Sequence, residues 1–273
     1  RSWTSLLNFA LTPIYISVLG IESYGLITFN LTLISISAIM DLGFGATVTR
    51  ELALLSSRKG TESEQREIVK TLGTVYWGLA ILIALIIFFS ADFISQKWIN
   101  NQFFDPEMIS TTVKLMSLTV ALQFPTSLYQ GALMGLQRQV IVNKILVILG
   151  TFRSLGAVLV ILTISSTIES FFIWQVISSV VSCIVFNIFI WRNLPKSSIP
   201  TLFNIRILKK IWKFAAAMSL NSIISILLTQ LDKIILIRIL TLTEFGYYSV
   251  ALTSASFIWL ILNPFNAAVF PRL

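Results

Sequence analysis

Charged side chains within long apolar stretches are the residues whose types can do chemistry here. Arg153 lies near the middle of the apolar stretch 145–168. A central arginine costs about 2.5–3.5 kcal/mol on insertion scales, so it normally faces a cavity or a partner. Its forked donors suit phosphate and other anions. Arg153 is therefore a candidate cavity residue that attracts an anionic substrate, and the alternative is a structural ion pair or a place near a water-filled vestibule.

Asp232 and Lys233 are adjacent near the end of another apolar stretch. Adjacent helical positions point about 100° apart, so these two charges do not simply neutralise each other. Both are candidates for ion coupling: Asp232 could bind a proton or a sodium ion, or accept a hydrogen bond from Arg153. An interfacial lysine that snorkels outward is the alternative for Lys233.

Asp41 and Arg50 flank a glycine-containing stretch, Gly43-Phe44-Gly45. Glycines at a helix end allow a break or a close approach between helices. Asp41 and Arg50 are therefore candidate cavity residues at a gate or an entry site for an anionic head group. The alternative is a helix terminus with charges at the membrane interface.

The composition excludes most other chemistry. Of the 273 residues, 56% are hydrophobic and 12% are charged, with a mean hydropathy of +0.86. That charged share is about half the usual value for a soluble domain, which excludes an ordinary soluble enzyme and a disordered chain. Histidine is absent and Cys183 is the single cysteine, so histidine bases, zinc sites and disulfides are excluded. We expect no metal, no cofactor and no enzymatic activity.

Apolar stretches of at least 18 residues predict the helices that must position these charges. We predict an all-α integral membrane protein, polytopic, with about eight transmembrane helices. The predicted spans are 2–20, 24–43, 70–91, 111–134, 141–164, 169–191, 212–235 and 246–270.

The basic residues predict the orientation of these spans. Thirteen of the 20 lysines and arginines lie in the second, fourth and sixth connections. Because lysine and arginine mark the cytoplasmic side, the even-numbered connections are predicted to be inside. The alternation works only if the segment 141–164, which carries Arg153, crosses the membrane.

An internal repeat predicts how the helices are grouped. Segment 14–35 aligns with 235–256 at a constant offset of 221 residues, and each copy carries an acidic residue, an aromatic residue and a glycine at its turn. The predicted parts are a first six-helix bundle (1–191), a cytoplasmic amphipathic linker (192–211) and the first two helices of a second bundle (212–273). Since the chain begins with an arginine at the edge of an apolar run, we expect a piece of a longer protein.

Several blocks of sequence resemble one family, the Wzx-type flippases for O-antigen and capsule repeat units. These belong to the multidrug/oligosaccharidyl-lipid/polysaccharide (MOP) exporters, which have a MATE-like fold. The blocks are Pro13-Ile14-Tyr15, Leu19-Gly20-Ile21-Glu22-Ser23-Tyr24-Gly25-Leu26, Asp41-Leu42-Gly43-Phe44-Gly45, Arg50-Glu51-Leu52-Ala53, Gly131-Ala132-Leu133-Met134-Gly135-Leu136-Gln137-Arg138, Gln230-Leu231-Asp232-Lys233 and Phe245-Gly246-Tyr247-Tyr248.

The resemblance implies two six-helix bundles, 12–14 helices in all, around a central cavity in the cytoplasmic membrane. It implies transfer of a polyprenyl-pyrophosphate-linked oligosaccharide from the inner to the outer leaflet by alternating access, coupled to a proton or sodium gradient. The product serves O-antigen, lipopolysaccharide or capsule synthesis. Expected partners are this lipid-linked substrate, membrane lipids and other polysaccharide assembly proteins, but no nucleic acid.

Two other functions compete with this interpretation. A MATE-type drug/cation antiporter would favour acidic and aromatic residues in its cavity, whereas the charge predicted at mid-membrane is Arg153. A membrane-embedded glycosyl-transfer enzyme would require a large loop outside the membrane, and connection 92–110 has little room for one.

Overall fold

The structure, a computed structural model, describes residues 2–41, 43–197 and 203–269. Within these ranges the chain forms nine α-helices and no strand. The helices are α1 (Ser2–Leu19), α2 (Ile21–Ser37), α3 (Phe44–Ser56), α4 (Glu62–Phe93), α5 (Pro106–Gly135), α6 (Gln139–Thr163), α7 (Ile168–Asn193), α8 (Ile205–Ile239) and α9 (Leu242–Val269). A 3₁₀ turn continues α2 to Asp41, and a π turn continues α4 to Trp98.

Several helices have the dimensions of membrane spans. Four continuous helical stretches in the described ranges are long and apolar enough to cross a membrane, judged by length and composition: Ile21–Asp41, Glu62–Trp98, Gln139–Thr163 and Ile168–Asn193. A shorter apolar helix covers Trp3–Leu19. Large apolar side chains cover the protein surface, where a bilayer would meet them; examples are Phe89, Ile148 and Leu228. The prediction of an all-α polytopic membrane protein is confirmed.

Each of the eight predicted spans coincides with a long helix, but several boundaries differ. Helix α3 lies in a segment that we assigned to a connection. Helix α5 begins at Pro106 instead of 111, because proline has a backbone suited to the first helical turn. Helix α8 begins at Ile205 and is continuous to Ile239. Arg206 and Lys209 therefore lie on its first turns, and the division into two bundles at 192–211 stays a prediction.

Local backbone chemistry sets the helix ends. Gly20 has a φ of 87° and joins α1 to α2 as a single residue, a conformation that disfavours any side chain. Asn204 begins α8 by accepting a hydrogen bond from the Arg206 N–H at 3.0 Å. At the start of α9, the backbone N–H and the hydroxyl of Thr241 donate to the Glu244 carboxylate at 2.8 and 2.9 Å. These hydrogen bonds lower the pKa of Glu244, which lies before the predicted span that begins at 246.

The second and sixth connections lie together at one end of the molecule, which we call the basic end. Arg66, from the second connection, donates to the Pro195 carbonyl of the sixth at 3.4 Å and stacks over Trp191. At the opposite end, Asn100 of the third connection exchanges backbone hydrogen bonds with Ile237 and Leu242, which flank the seventh. These contacts place the second and sixth connections at one end of the fold and the third and seventh at the other, while their sides of the membrane stay a prediction.

Helix α3 packs closely on α5 at the basic end through two glycines four residues apart. The Thr49 hydroxyl donates to the Gly131 carbonyl at 2.9 Å. A Cβ at Gly135 would lie 2.6 Å from the Thr49 carbonyl oxygen, so only glycine fits. This small-xxx-small contact is typical of membrane helices, and it fixes α3 beside the C-terminal part of α5.

Candidate functional site

Three adjoining cavities follow one another among α1, α2, α3, α5, α6 and α7, with one lining residue each from α8 and α9, and together we call them the passage. The distal cavity, far from the basic end, has a volume of about 190 Å³ and reaches Tyr24. The middle cavity has about 230 Å³, and the basic-end cavity, which reaches Asp41, has about 530 Å³. Gln123 lines all three, so the cavities meet at this residue.

Arg153 is half-buried in the wall of the distal and middle cavities. Its Nη2 donates to the Ser179 hydroxyl at 2.6 Å. Among the described residues, which include every aspartate and glutamate of the chain, no carboxylate lies within ion-pair distance of it. Within the described ranges the positive charge of Arg153 thus has no counter-ion, and its role in binding an anion stays a prediction.

Helix α7 holds the backbone beneath Arg153 in place. The indole Nε1 of Trp174 donates to the Arg153 carbonyl at 3.1 Å. The indole ring lies in a notch at Gly156, where any Cβ would collide with it, and packs 4.9 Å from the ring of Phe152. Trp174 therefore fixes α6 against α7 at the level of the guanidinium.

Polar contacts join the other helices around the passage. The Ser154 hydroxyl donates to Asn8 Oδ1 at 2.8 Å and connects α6 to α1. The Tyr15 hydroxyl donates to the Ser154 carbonyl at 3.1 Å. On the opposite wall, the Thr119 hydroxyl donates to Asn30 Oδ1 at 3.1 Å and connects α5 to α2. These bonds satisfy polar groups that would be costly to leave unpaired in a membrane.

Three glutamines on the walls were not among the residues selected from the sequence. Gln123 and Gln130 lie on α5, and Gln175 lies on α7. All three are half-buried, and their amides make no hydrogen bond to any described residue. The sequence feature that could have identified two of them is their spacing, because Gln123 and Gln130 are seven residues apart and so lie on one face of an apolar helix.

Asp41 lies at the basic end of the passage, in the lining of the basic-end cavity. Its carboxylate accepts a hydrogen bond from the hydroxyl of Tyr76, a buried residue of α4. It also accepts from the Gly45 N–H at 3.2 Å, which caps the first turn of α3 after the left-handed Gly43. Asp41 therefore joins α2, α3 and α4 next to the cavity.

Arg50 is not brought to the passage. It lies on α3 with its side chain 51% exposed, and it pairs with Glu51 at 3.0 Å. The residues that line the three cavities do not include it. Asp41 and Arg50 thus flank the glycines in sequence but face different surroundings.

Asp232 and Lys233 lie on α8, also away from the lining of the passage. Asp232 is exposed and accepts a hydrogen bond from the Tyr248 hydroxyl of α9. Lys233 donates to the Thr229 carbonyl at 2.7 Å. The two charges have separate partners, and Asp232 does not accept from Arg153, whose partner is a serine. Their part in ion coupling stays a prediction.

Metal chemistry has no geometric basis in the described ranges, where no group of three or more histidine, cysteine or acidic residues could hold an ion.

Comparisons with known proteins agree with the resemblance. A "Putative O-antigen transporter" of Shigella flexneri is 22% identical over 256 residues, which cover 93% of this chain and 59% of that protein. The chain thus spans somewhat more than half the length of this curated relative. No solved structure matches the chain. The family model described as polysaccharide biosynthesis protein matches residues 2–273, so the chain belongs to the polysaccharide biosynthesis protein family.

Proposed function

We propose that this chain forms part of a flippase that moves a polyprenyl-pyrophosphate-linked oligosaccharide from the inner to the outer leaflet of the cytoplasmic membrane. The observation that carries the proposal is Arg153, a cation that has no counter-ion among the described residues, in a passage whose other polar lining groups are mainly amides and hydroxyls. A pyrophosphate would supply the missing negative charge. The family and the O-antigen transporter similarity support the same substrate class.

The electrostatics of the passage favour an anionic substrate over a cationic drug. Among the described residues, no acid lines the distal or the middle cavity. Asp41, the acid of the basic-end cavity, already accepts two hydrogen bonds. An antiporter for organic cations would need an available carboxylate at the binding site, because burying an unpaired cation is costly. The same passage offers an anion the guanidinium fork of Arg153.

The orientation follows from the basic end. Lysine and arginine concentrate on the cytoplasmic side of membrane proteins, so the basic end faces the cytoplasm in this proposal. The head group would enter near Asp41, pass Arg153 and leave at the distal cavity by alternating access. Membrane lipids surround the helices, and other polysaccharide assembly proteins would supply and receive the substrate.

Directed transfer of the substrate between leaflets requires an energy source, for which we propose a proton or sodium ion gradient across the membrane. Asp232 is the proposed carrier with Lys233 beside it, because its carboxylate is exposed and has one hydroxyl partner among the described residues, Tyr248. Asp232→Asn removes the charge at nearly constant size. Export by this variant that still depends fully on the ion gradient would exclude Asp232 as the carrier.

The decisive test is surface-glycan export in a strain that lacks its own transporter and carries the full-length gene. Arg153→Ala and Arg153→Lys should both reduce export, the alanine variant more, because lysine keeps the charge without the fork. Arg138→Ala is the matched control, since Arg138 is exposed in the fourth connection. Full export by Arg153→Ala at normal membrane abundance would contradict the proposed role. Drug resistance conferred without glycan export would identify an antiporter.

A further inference from the structure

The hydroxyls and the amides that α5 presents to the passage differ in how they are satisfied. The hydroxyls all donate to protein oxygen atoms; they belong to Thr119, Thr126 and Ser127. The amides of Gln123 and Gln130 make no hydrogen bond to any described residue. The fold therefore uses the hydroxyls of this helix and leaves its two amides available to whatever fills the passage.

The two amides lie in register along the route of transport. Seven residues separate them, which is about 10 Å along the helix axis and within about 20° of the same face. Gln123 lines all three cavities, and Gln130 lines the middle and basic-end cavities. A substrate that moves from the basic end to the distal cavity must pass both side chains.

The hydrogen-bonding groups of an amide suit a neutral polyol, such as a sugar, as the ligand. Glutamine offers two N–H donors and a carbonyl acceptor without a net charge, so it can bond to a hydroxyl in either sense. A pyrophosphate is an acceptor only and is better bound by Arg153. A polyprenyl chain offers no polar group, and an amide facing it would lose its hydration without compensation.

We propose that Gln123 and Gln130 form a sugar-binding track that hydrogen-bonds to the hydroxyls of the glycan while Arg153 holds the pyrophosphate. This inference rests on the proposed function and adds that the oligosaccharide itself is recognised. When the passage is empty, water satisfies the two amides. When it is filled, glycan hydroxyls replace that water one amide at a time, so the glycan keeps hydrogen bonds as it advances.

The test compares two ligands with the same lipid and pyrophosphate. Full-length protein in lipid nanodiscs is titrated with polyprenyl pyrophosphate and with polyprenyl pyrophosphate carrying the oligosaccharide. Gln123→Leu and Gln130→Leu should each weaken binding of the glycan-bearing ligand about threefold to tenfold, the worth of one neutral hydrogen bond. Both should bind bare polyprenyl pyrophosphate as the wild type does. Gln139→Leu, on an exposed residue at the start of α6, is the matched control.

The outcomes separate the track from the proposed function. Equal weakening for both ligands, or no weakening for either, would overturn the track while Arg153→Ala still weakens both ligands. If Arg153→Ala changes neither affinity, the proposed function fails whatever the glutamines do, and if the wild type binds neither ligand, both ideas fail. Should a leucine variant not fold, Gln123→Asn keeps the amide but withdraws it by one methylene. Unchanged glycan binding by that folded variant would count against the track.

Discussion

Gly25 of α2 and Gly246 of α9 occupy reciprocal positions in one helix crossing. A Cβ on Gly25 would lie 3.1 Å from the Leu242 carbonyl oxygen, and a Cβ on Gly246 would collide with the Ile21 carbonyl oxygen. Each glycine thus faces the residue four positions before the other. The offset of 221 residues that relates Gly25 to Gly246 also relates Glu22 to Thr243, whose hydroxyl donates to it at 2.9 Å. The crossing is self-complementary, as at a two-fold interface between identical subunits.

This crossing predicts a strong effect of a single methyl group. Gly246→Ala should lower the free energy of unfolding by about 1–3 kcal/mol, because the new Cβ meets backbone that cannot move aside. Thermal unfolding of the full-length protein in detergent measures the change. Gly78→Ala is the control, since a Cβ on that helical glycine would meet no atom within 4 Å, and the variant should gain up to about 1 kcal/mol. Equal stability of the two variants would contradict the close crossing.

The bond between Tyr76 and Asp41 predicts a cost for removing one hydroxyl. Tyr76→Phe should destabilise the protein by about 1–3 kcal/mol, because a half-buried carboxylate loses its donor from α4. The measurement is the midpoint of thermal unfolding together with membrane abundance. Tyr247→Phe provides a matched control, since the Tyr247 side chain is exposed on α9 and should tolerate the change. A wild-type midpoint for Tyr76→Phe would show that this bond does not stabilise the junction.

Trp174 predicts an effect on Arg153 that acts through the backbone. Trp174→Phe keeps a ring in the Gly156 notch but removes the indole N–H that bonds to the Arg153 carbonyl. We expect a loss of about 1 kcal/mol and reduced glycan export at equal membrane abundance. Trp77→Phe loses a similar indole bond, to Tyr129, away from the passage, so its export should stay normal. Equal export by the two variants would remove Trp174 as a positioning residue.

The gathering of connections at two ends predicts an accessibility pattern. In a Cys183→Ser background, Gln102→Cys and Ser166→Cys should react with an impermeant maleimide in intact cells. Arg138→Cys and Lys196→Cys, at the basic end, should react only after the cells are opened. Labelling of the fourth and sixth connections from opposite sides would refute the topology, including the crossing of α6.

The long helices and Arg153 could be predicted from the sequence because each produces a large signal. A run of about 20 apolar residues predicts a helix long enough to span the bilayer. An arginine at its centre predicts a protein interior on that side, because a charge facing lipid costs too much free energy. Neither signal reports which way a moderately polar residue faces. Burying an uncharged amide costs much less free energy than burying a charge, so Gln123 and Gln130 could lie on any face of α5. Sequence alone therefore does not distinguish a glutamine that lines a passage from one that contacts another helix.

Helix α3 and the surroundings of Arg50 were missed for a related reason. Residues 44–56 are too short and too mixed to resemble a span, and their position depends on close packing against Gly131 and Gly135 of α5. Arg50 is half exposed on α3 and pairs with the neighbouring Glu51. Such rotation about a helix axis is determined by tertiary contacts, which hydropathy does not report.

The separation of hydroxyls from amides along α5 has an evolutionary consequence. The Thr119 hydroxyl joins α5 to α2, so its loss would reduce the yield of folded protein, whereas the hydroxyls of Thr126 and Ser127 bond to carbonyls of their own helix. Gln123 and Gln130 contribute no bond to any described part of that scaffold. Substitutions at these two positions should therefore cost little in folding, so that, under the proposed function, the recognised glycan could change over evolution while the architecture around it stays constant.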